Sequence, residues 1–248
     1  MKRQWLLLRV AVQFLTRLPV PIAAELPPDA LAESARFCPI VGAIVALGAI
    51  AIDLVVGPHA NRNVSVVLIL IYVVIVTGGL HEDGLADAAD GFGGGWTKDR
   101  VLAIMRDSNI GSFGALAIGG SLLARFVFLT SLPAGDFYGV LLAGHVLGRW
   151  AMVPLAYWLP PARNDQGQGA RVAQKTSTST LVVATALAVT LVSFARGLAA
   201  MAMIVVACGV AALTGVYYRR RIGGITGDCL GATGQLTECA VYLTGVIS

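Results

Sequence analysis

The stretch GGLHEDGLADAADGFGGGW, residues 78 to 96, carries Glu82, Asp83, Asp87 and Asp90 within nine positions, in a chain with only 14 acidic residues. Asp83, Asp87 and Asp90 follow an i, i+4, i+7 spacing, so on a helix they lie within about 60° of one another. Like charges gathered on one face repel, and one or more takes up a proton unless a cation holds them. A hard divalent ion such as Mg²⁺ is the natural partner, because it takes oxygen ligands and binds through a few carboxylates together with substrate phosphates. Glu82 sits about 100° off that face, which suits it to a second ion or to a base role. The glycines that follow, Gly91, Gly93, Gly94 and Gly95, would let the backbone turn sharply and bring its N–H groups to a phosphate. The plain alternative is that these acids cap a helix and keep a loop hydrated, but a cap needs one acid, not four.

Two further segments carry compatible chemistry. In RVLAIMRDSNIGSFG, Arg106, Asp107 and Ser108 form a polar triplet in which Arg106 can grip a phosphate bidentately and Ser108 can hydrogen-bond. Arg100, in the same segment, reads instead as a charge anchoring the cytoplasmic side. In RRRIGGITGDCLGATGQLTE, Gly227 and Asp228 stand at the mouth of an apolar run and Glu238 lies inside it. Charged groups inside a membrane are costly and are functional candidates by default. Asp228 is thus a candidate metal ligand or catalytic base, with an ordinary helix cap as the alternative. His145 and Arg149 lie one helical turn apart, and Arg149 suits pairing with an acid or a substrate phosphate, whereas a lone histidine such as His145 is more often part of a core. Arg163 and Asn164, in PPARNDQGQGARVAQK, suit a substrate-holding loop.

The elements that must position these groups follow from composition. The 248 residues are 56% hydrophobic and 13% charged, against about 25% charged in ordinary soluble domains. Several apolar runs approach the roughly 18 residues a helix needs to cross a bilayer, and they lack the alternation a barrel requires. The expected fold is an all-α polytopic membrane bundle forming a single domain over 1–248, with about seven transmembrane helices at roughly 38–56, 64–80, 112–132, 137–158, 180–195, 198–217 and 229–247. Before them, Arg9, Gln13 and Arg17 recur every four residues opposite Leu6, Leu7, Val10, Phe14 and Leu18, the pattern of an amphipathic interfacial helix rather than a cleaved signal.

Among the 18 basic residues only Arg62 and Arg196 fall in the expected outer connections, and Arg125 and Arg149 fall within spans. The remainder flank the other side, so the three polar, glycine-rich loops are expected to face the cytoplasm. The net charge of +4 therefore reports orientation rather than a nucleic-acid partner. Cys38, Cys208, Cys229 and Cys239 form no CxxC pair and suggest neither zinc nor disulfides.

The run GGLHEDGLADAADGFGGG followed by RVLAIMRDSNIGSFG resembles cobalamin synthase, the adenosylcobinamide-GDP ribazoletransferase family. FLTRLPVP, PPARNDQGQG and GGITGDCLGATGQLTE extend the likeness over nearly the whole chain, with Gln168 standing where the family more usually has leucine. The resemblance implies a bacterial inner-membrane enzyme that joins adenosylcobinamide-GDP to α-ribazole or α-ribazole 5′-phosphate and releases GMP, with Mg²⁺ as cofactor and the active site on the cytoplasmic side. A homo-oligomer is left open.

Such a reaction is a displacement at phosphorus, which needs positioning and charge neutralisation. Asp83, Asp87 and Asp90, with Glu82 and Asp228, are then expected to hold one or two Mg²⁺ ions, and Glu82 or Asp228 to take the proton of the attacking ribose hydroxyl. Arg106, Arg149 and Arg163 are expected to grip phosphates. A CDP-alcohol phosphotransferase fits less well, since its motif expects AR soon after DG. A transporter would carry its acids at the bilayer midplane, often in repeated halves.

Overall fold

A computed structural model describes residues 2–21, 26–163 and 176–248. Among them the regular structure is helical: α1 (Lys2–Leu15), α2 (Ala30–Ser34), a 3₁₀ turn Ala35–Phe37, α3 (Cys38–Val56), α4 (Arg62–Thr77), α5 (Leu80–Gly94), α6 (Lys98–Ile104) and α7 (Ser112–Ser131). There follow α8 (Phe137–Trp158), α9 (Thr178–Arg196), a 3₁₀ turn Gly197–Ala199, α10 (Ala200–Ile222) and α11 (Gly227–Ile247). Polar side chains start several of them by accepting from an orphan backbone N–H: Asn61 at α4, Thr97 at α6, Ser177 at α9 and Thr226 at α11.

α8 and α11 form the centre, with α3, α5, α7, α9 and α10 packed around them. Most of α8 is buried on every side, from Val140 through Ala156, and α11 is nearly as enclosed. Close approach is set by glycines. A Cβ on Gly84 of α5 would meet Asp228 O at 3.1 Å and Gly231 Cα at 3.3 Å, so backbone lies directly on backbone where α5 crosses α11.

A helix stands at each of the seven places expected to span. By length and hydropathy, however, four stretches qualify: Ala30–Val56, Ser112–Ser131, Phe137–Trp158 and the run Thr178–Ile222. The pair α4 and α5, bent by 87°, makes a fifth if taken together. Thr178–Ile222 contains both α9 and α10, broken at Gly197. α11 does not qualify, because it carries Asp228, Gln235 and Glu238 and is sheathed by protein, which removes the need for an apolar surface. α5 is short and bears four acids, so we place it outside the apolar spans.

The bend before α5 comes from Gly78 and Gly79, both left-handed at φ 67° and 69°, a conformation that glycine adopts without steric cost. α1 stands where the interfacial helix was expected, and its residues Leu7, Val10, Ala11 and Leu15 are covered by the protein itself, chiefly α2 and α3, while Gln13 and Arg17 stay exposed.

The connections sort into two sets. At one end Tyr138 donates to Asp53 (3.0 Å), Arg62 stands over the Phe137 ring (3.9 Å) and Arg196 pairs with Asp136. At the other, Arg221 donates to Gly95 O (2.7 Å), Arg163 to Leu102 O (2.9 Å) and the Arg17 amide to Val76 O (2.6 Å). These are the sets expected, from the charge distribution in the sequence, on opposite sides of the bilayer.

Candidate active site

The glycine-on-glycine crossing of α5 and α11 brings together acids that lie 145 positions apart. Asp83 and Asp228 line one cavity of about 220 Å³, together with Gly227 at the first turn of α11. The Thr226 hydroxyl donates to the Asp228 carboxylate at 3.1 Å while its oxygen also caps α11. Asp87 lies one turn beyond Asp83, half-buried. Burial and then the carboxylates of Asp228, Asp83 and Asp90 push its carboxyl up to about 7, and Arg163 acts in the opposite direction.

Arg163 reaches this spot because the chain after α8 is stitched to the chain before α11. Ala162 N donates to Ile225 O (2.8 Å) and Ile225 N to Pro160 O (2.9 Å). Neither Asp83 nor Asp87 makes a side-chain hydrogen bond or ion pair to the described residues.

The other two acids of the motif do different work. Asp90 accepts from the backbone N–H of Gly111 (2.7 Å) and Gly114 (2.8 Å), fastening the first turn of α7 to α5. Glu82 points into the core, where Arg125 reaches it at 3.1 Å and Gln235 donates to it at 3.1 Å. The 100° offset read from the sequence is real, and it aims Glu82 into the core, away from Asp83 and Asp87. The expected four-carboxylate cage is therefore divided, and no three metal-ligating side chains converge among the described residues.

Glu238 and Arg149, expected to touch substrate, are sealed at 3% exposure each. Glu238 is held by His145 Nδ1 at 3.0 Å, Arg125 at 3.5 Å and Arg149 at 3.6 Å. A buried charge needs such partners, since an uncompensated one costs several kcal/mol.

Arg106, Asp107 and Ser108 occupy an exposed loop between α6 and α7. There Asp107 accepts from the amide and side chain of Asn109 (3.0 and 2.7 Å), which holds its carboxyl below the ordinary range. Asn164 lies outside the described residues. Gly91 and Gly93 to Gly95 do not form a phosphate-cradling turn. α5 stays helical through Gly94, and a Cβ on Gly91, Gly93 or Gly95 would strike Met105, Phe113 or Val101.

Arg125, Gln235 and His81 were not read as site residues. An arginine inside an apolar run was the available signal for Arg125. His81, beside Glu82, lines the same cavity as Asp83.

The donor set fits a hard divalent ion. Asp83 and Asp87 are oxygen donors of the kind a hard divalent ion takes, with Asp228 near enough to raise the Asp87 carboxyl; two carboxylates suit an ion of the Mg²⁺ kind, which completes its shell with waters and phosphate oxygens rather than an all-protein cage.

The profile of the cobalamin-5-phosphate synthase family matches residues 7–246. The chain is 35% identical over 242 residues to an adenosylcobinamide-GDP ribazoletransferase of Shewanella sp. (strain W3-18-1), covering 96% of this chain and 92% of that protein. Proteins of the same name from Shewanella baltica (strain OS155) and Pseudoalteromonas atlantica (strain T6c) are each 36% identical. The former match covers 94% of this chain and 90% of the relative, the latter 99% and 92%. No solved structure matches. A chain whose described residues form helices, several of them long and apolar, and which this profile matches almost end to end, belongs to the cobalamin-5-phosphate synthase family of enzymes.

Proposed function

We propose that this enzyme transfers the adenosylcobinamide phosphate of adenosylcobinamide-GDP to α-ribazole or α-ribazole 5′-phosphate, releasing GMP. The protein acts as one domain in the bacterial inner membrane with its site facing the cytoplasm. The relatives' printed name supports the donor and the transfer, and the distribution of basic residues supports the orientation. The observation that carries the reading is the meeting of Asp83 and Asp228 on one cavity wall with Asp87 beside them.

Asp83 and Asp87 would hold Mg²⁺, which when bound neutralises charge on the diphosphate and the departing GMP. Asp228, turned by the Thr226 hydroxyl, takes the proton of the attacking ribose hydroxyl. Arg163, close enough to Asp87 to act on its charge, steadies a phosphate oxygen. Asp90 keeps the Arg106 to Ser108 loop beside this end of α5 by its hold on α7. α1, with its exposed Gln13 and Arg17, lies at the membrane surface.

The test is GMP release from adenosylcobinamide-GDP plus α-ribazole by the full chain in detergent, with and without Mg²⁺. Mg²⁺-dependent release that collapses in Asp83→Ala and Asp228→Ala supports the assignment. Release that persists in both variants, or none in wild type under conditions where a relative is active, ends it.

A further inference from the structure

The 220 Å³ cavity is larger than the carboxylates beside it require, and its walls are unlike theirs. Phe14 and Leu15 of α1, Leu31 of α2, Met152 and Val153 of α8 and Leu230 of α11 enclose most of it. His81 also lines it, at 4% exposure, and neither of its ring nitrogens has a hydrogen-bond partner among the described residues; Nε2 is fully enclosed and out of a ligand's reach, which leaves Nδ1 as the nitrogen open to one. A buried imidazole without a partner is costly and is met most simply by a ligand group.

A second, open cavity of about 920 Å³ lies between α1, the Gly78–Gly79 bend and Pro27–Pro28. The two share Phe14, Leu31, Leu80 and Asp83, so Asp83 stands where a small apolar chamber meets a larger one of mixed lining.

We propose that the small chamber seats the base of the acceptor nucleoside. This base is a planar, mostly apolar fused-ring heteroaromatic whose ring nitrogen hydrogen-bonds His81, leaving its ribose at the wall formed by Asp83 and Asp228. The assignment rests on the ribazole-transfer reading above. Size supports it. An apolar cavity of about 150 Å³ admits benzene, so 220 Å³ has room for a second fused ring and none for a corrin macrocycle. A lipid acyl chain would fill the apolar walls but leave His81 without a partner, which makes it the weaker occupant.

Two measurements on the full chain in detergent separate failure of this assignment from failure of the reaction. Calorimetric binding of free α-ribazole, without donor, reads the chamber alone, and initial rates of GMP release give separate KM values for acceptor and donor. His81→Ala and Met152→Trp are expected to weaken acceptor binding and raise acceptor KM about tenfold, the effect of one lost contact, with donor KM within about twofold. His81→Gln, which keeps an N–H donor, recovers part of the loss.

Binding that the variants weaken, even without turnover, supports the chamber while removing the reaction. Turnover in which both KM values move together, or neither moves, overturns the chamber while leaving the reaction. Release of a bound lipid by Met152→Trp, detected by mass spectrometry with acceptor KM unchanged, overturns it in favour of an acyl chain.

Discussion

α5 carries two kinds of acid on two faces, and the contrast between them explains most of the site. Toward α7 and the core, Glu82 joins Arg125, Gln235, Glu238, His145 and Arg149 in a buried network in which charge meets countercharge at 3.0 to 3.6 Å. Toward the cavity, Asp83 and Asp87 face another acid, Asp228, and the repulsion is visible in the raised Asp87 carboxyl. Compensated charge inside a bundle fixes helix against helix, whereas carboxylates crowded on a cavity wall suit a cation and its ligand. Neighbouring residues of one motif thus hold opposite roles.

The comparison breaks most visibly at Arg125. Arg125→Met leaves Glu82 without its cation and is expected to cost about 3–5 kcal/mol of stability, measured by thermal unfolding in detergent. The fraction that remains folded should keep its Mg²⁺ dependence. Asp83→Ala should do the reverse, lowering kcat about 10²- to 10³-fold (about 2.7–4 kcal/mol) with an unchanged unfolding midpoint. Equal stability losses in the two variants would dissolve the distinction between the faces.

Gly84→Ala comes next, at about 1–3 kcal/mol, because the added methyl pushes on the backbone of α11 rather than on a flexible side chain. It should also lower turnover, since it moves Asp83 relative to Asp228, and normal kinetics in a destabilised protein would uncouple the crossing from the site. Smallest is Asp90→Ala, at about 1–2 kcal/mol for a lost helix cap. Its Mg²⁺ requirement should match wild type, and a raised Mg²⁺ requirement would return Asp90 to the metal face.

Much of this was legible before any coordinates. The helical class, the places of the helices and the massing of carboxylates in the 78–96 motif follow from hydropathy, spacing and charge. The span count was not, because hydropathy cannot distinguish a helix wrapped in protein, such as α11, from one facing lipid. Nor was the fate of Glu82 and Glu238, since an acid in a cluster or in an apolar run looks the same whether an arginine or a substrate awaits it. The glycines after Asp90 look like a phosphate loop in sequence, yet they are the smooth surface on which Met105, Phe113 and Val101 rest.

The sequence by itself determined that this is a helical membrane bundle with carboxylates massed on one helix, because composition and the 3.6-residue period are local properties. Only the tertiary structure decided which carboxylates meet. Asp83 reaches Asp228 across 145 residues because Gly84 and Gly231 let two backbones touch. Glu82, one residue before Asp83, is withdrawn because Arg125 waits on the other side. Pairing across such distances depends on which helices pack together, and no local pattern encodes that.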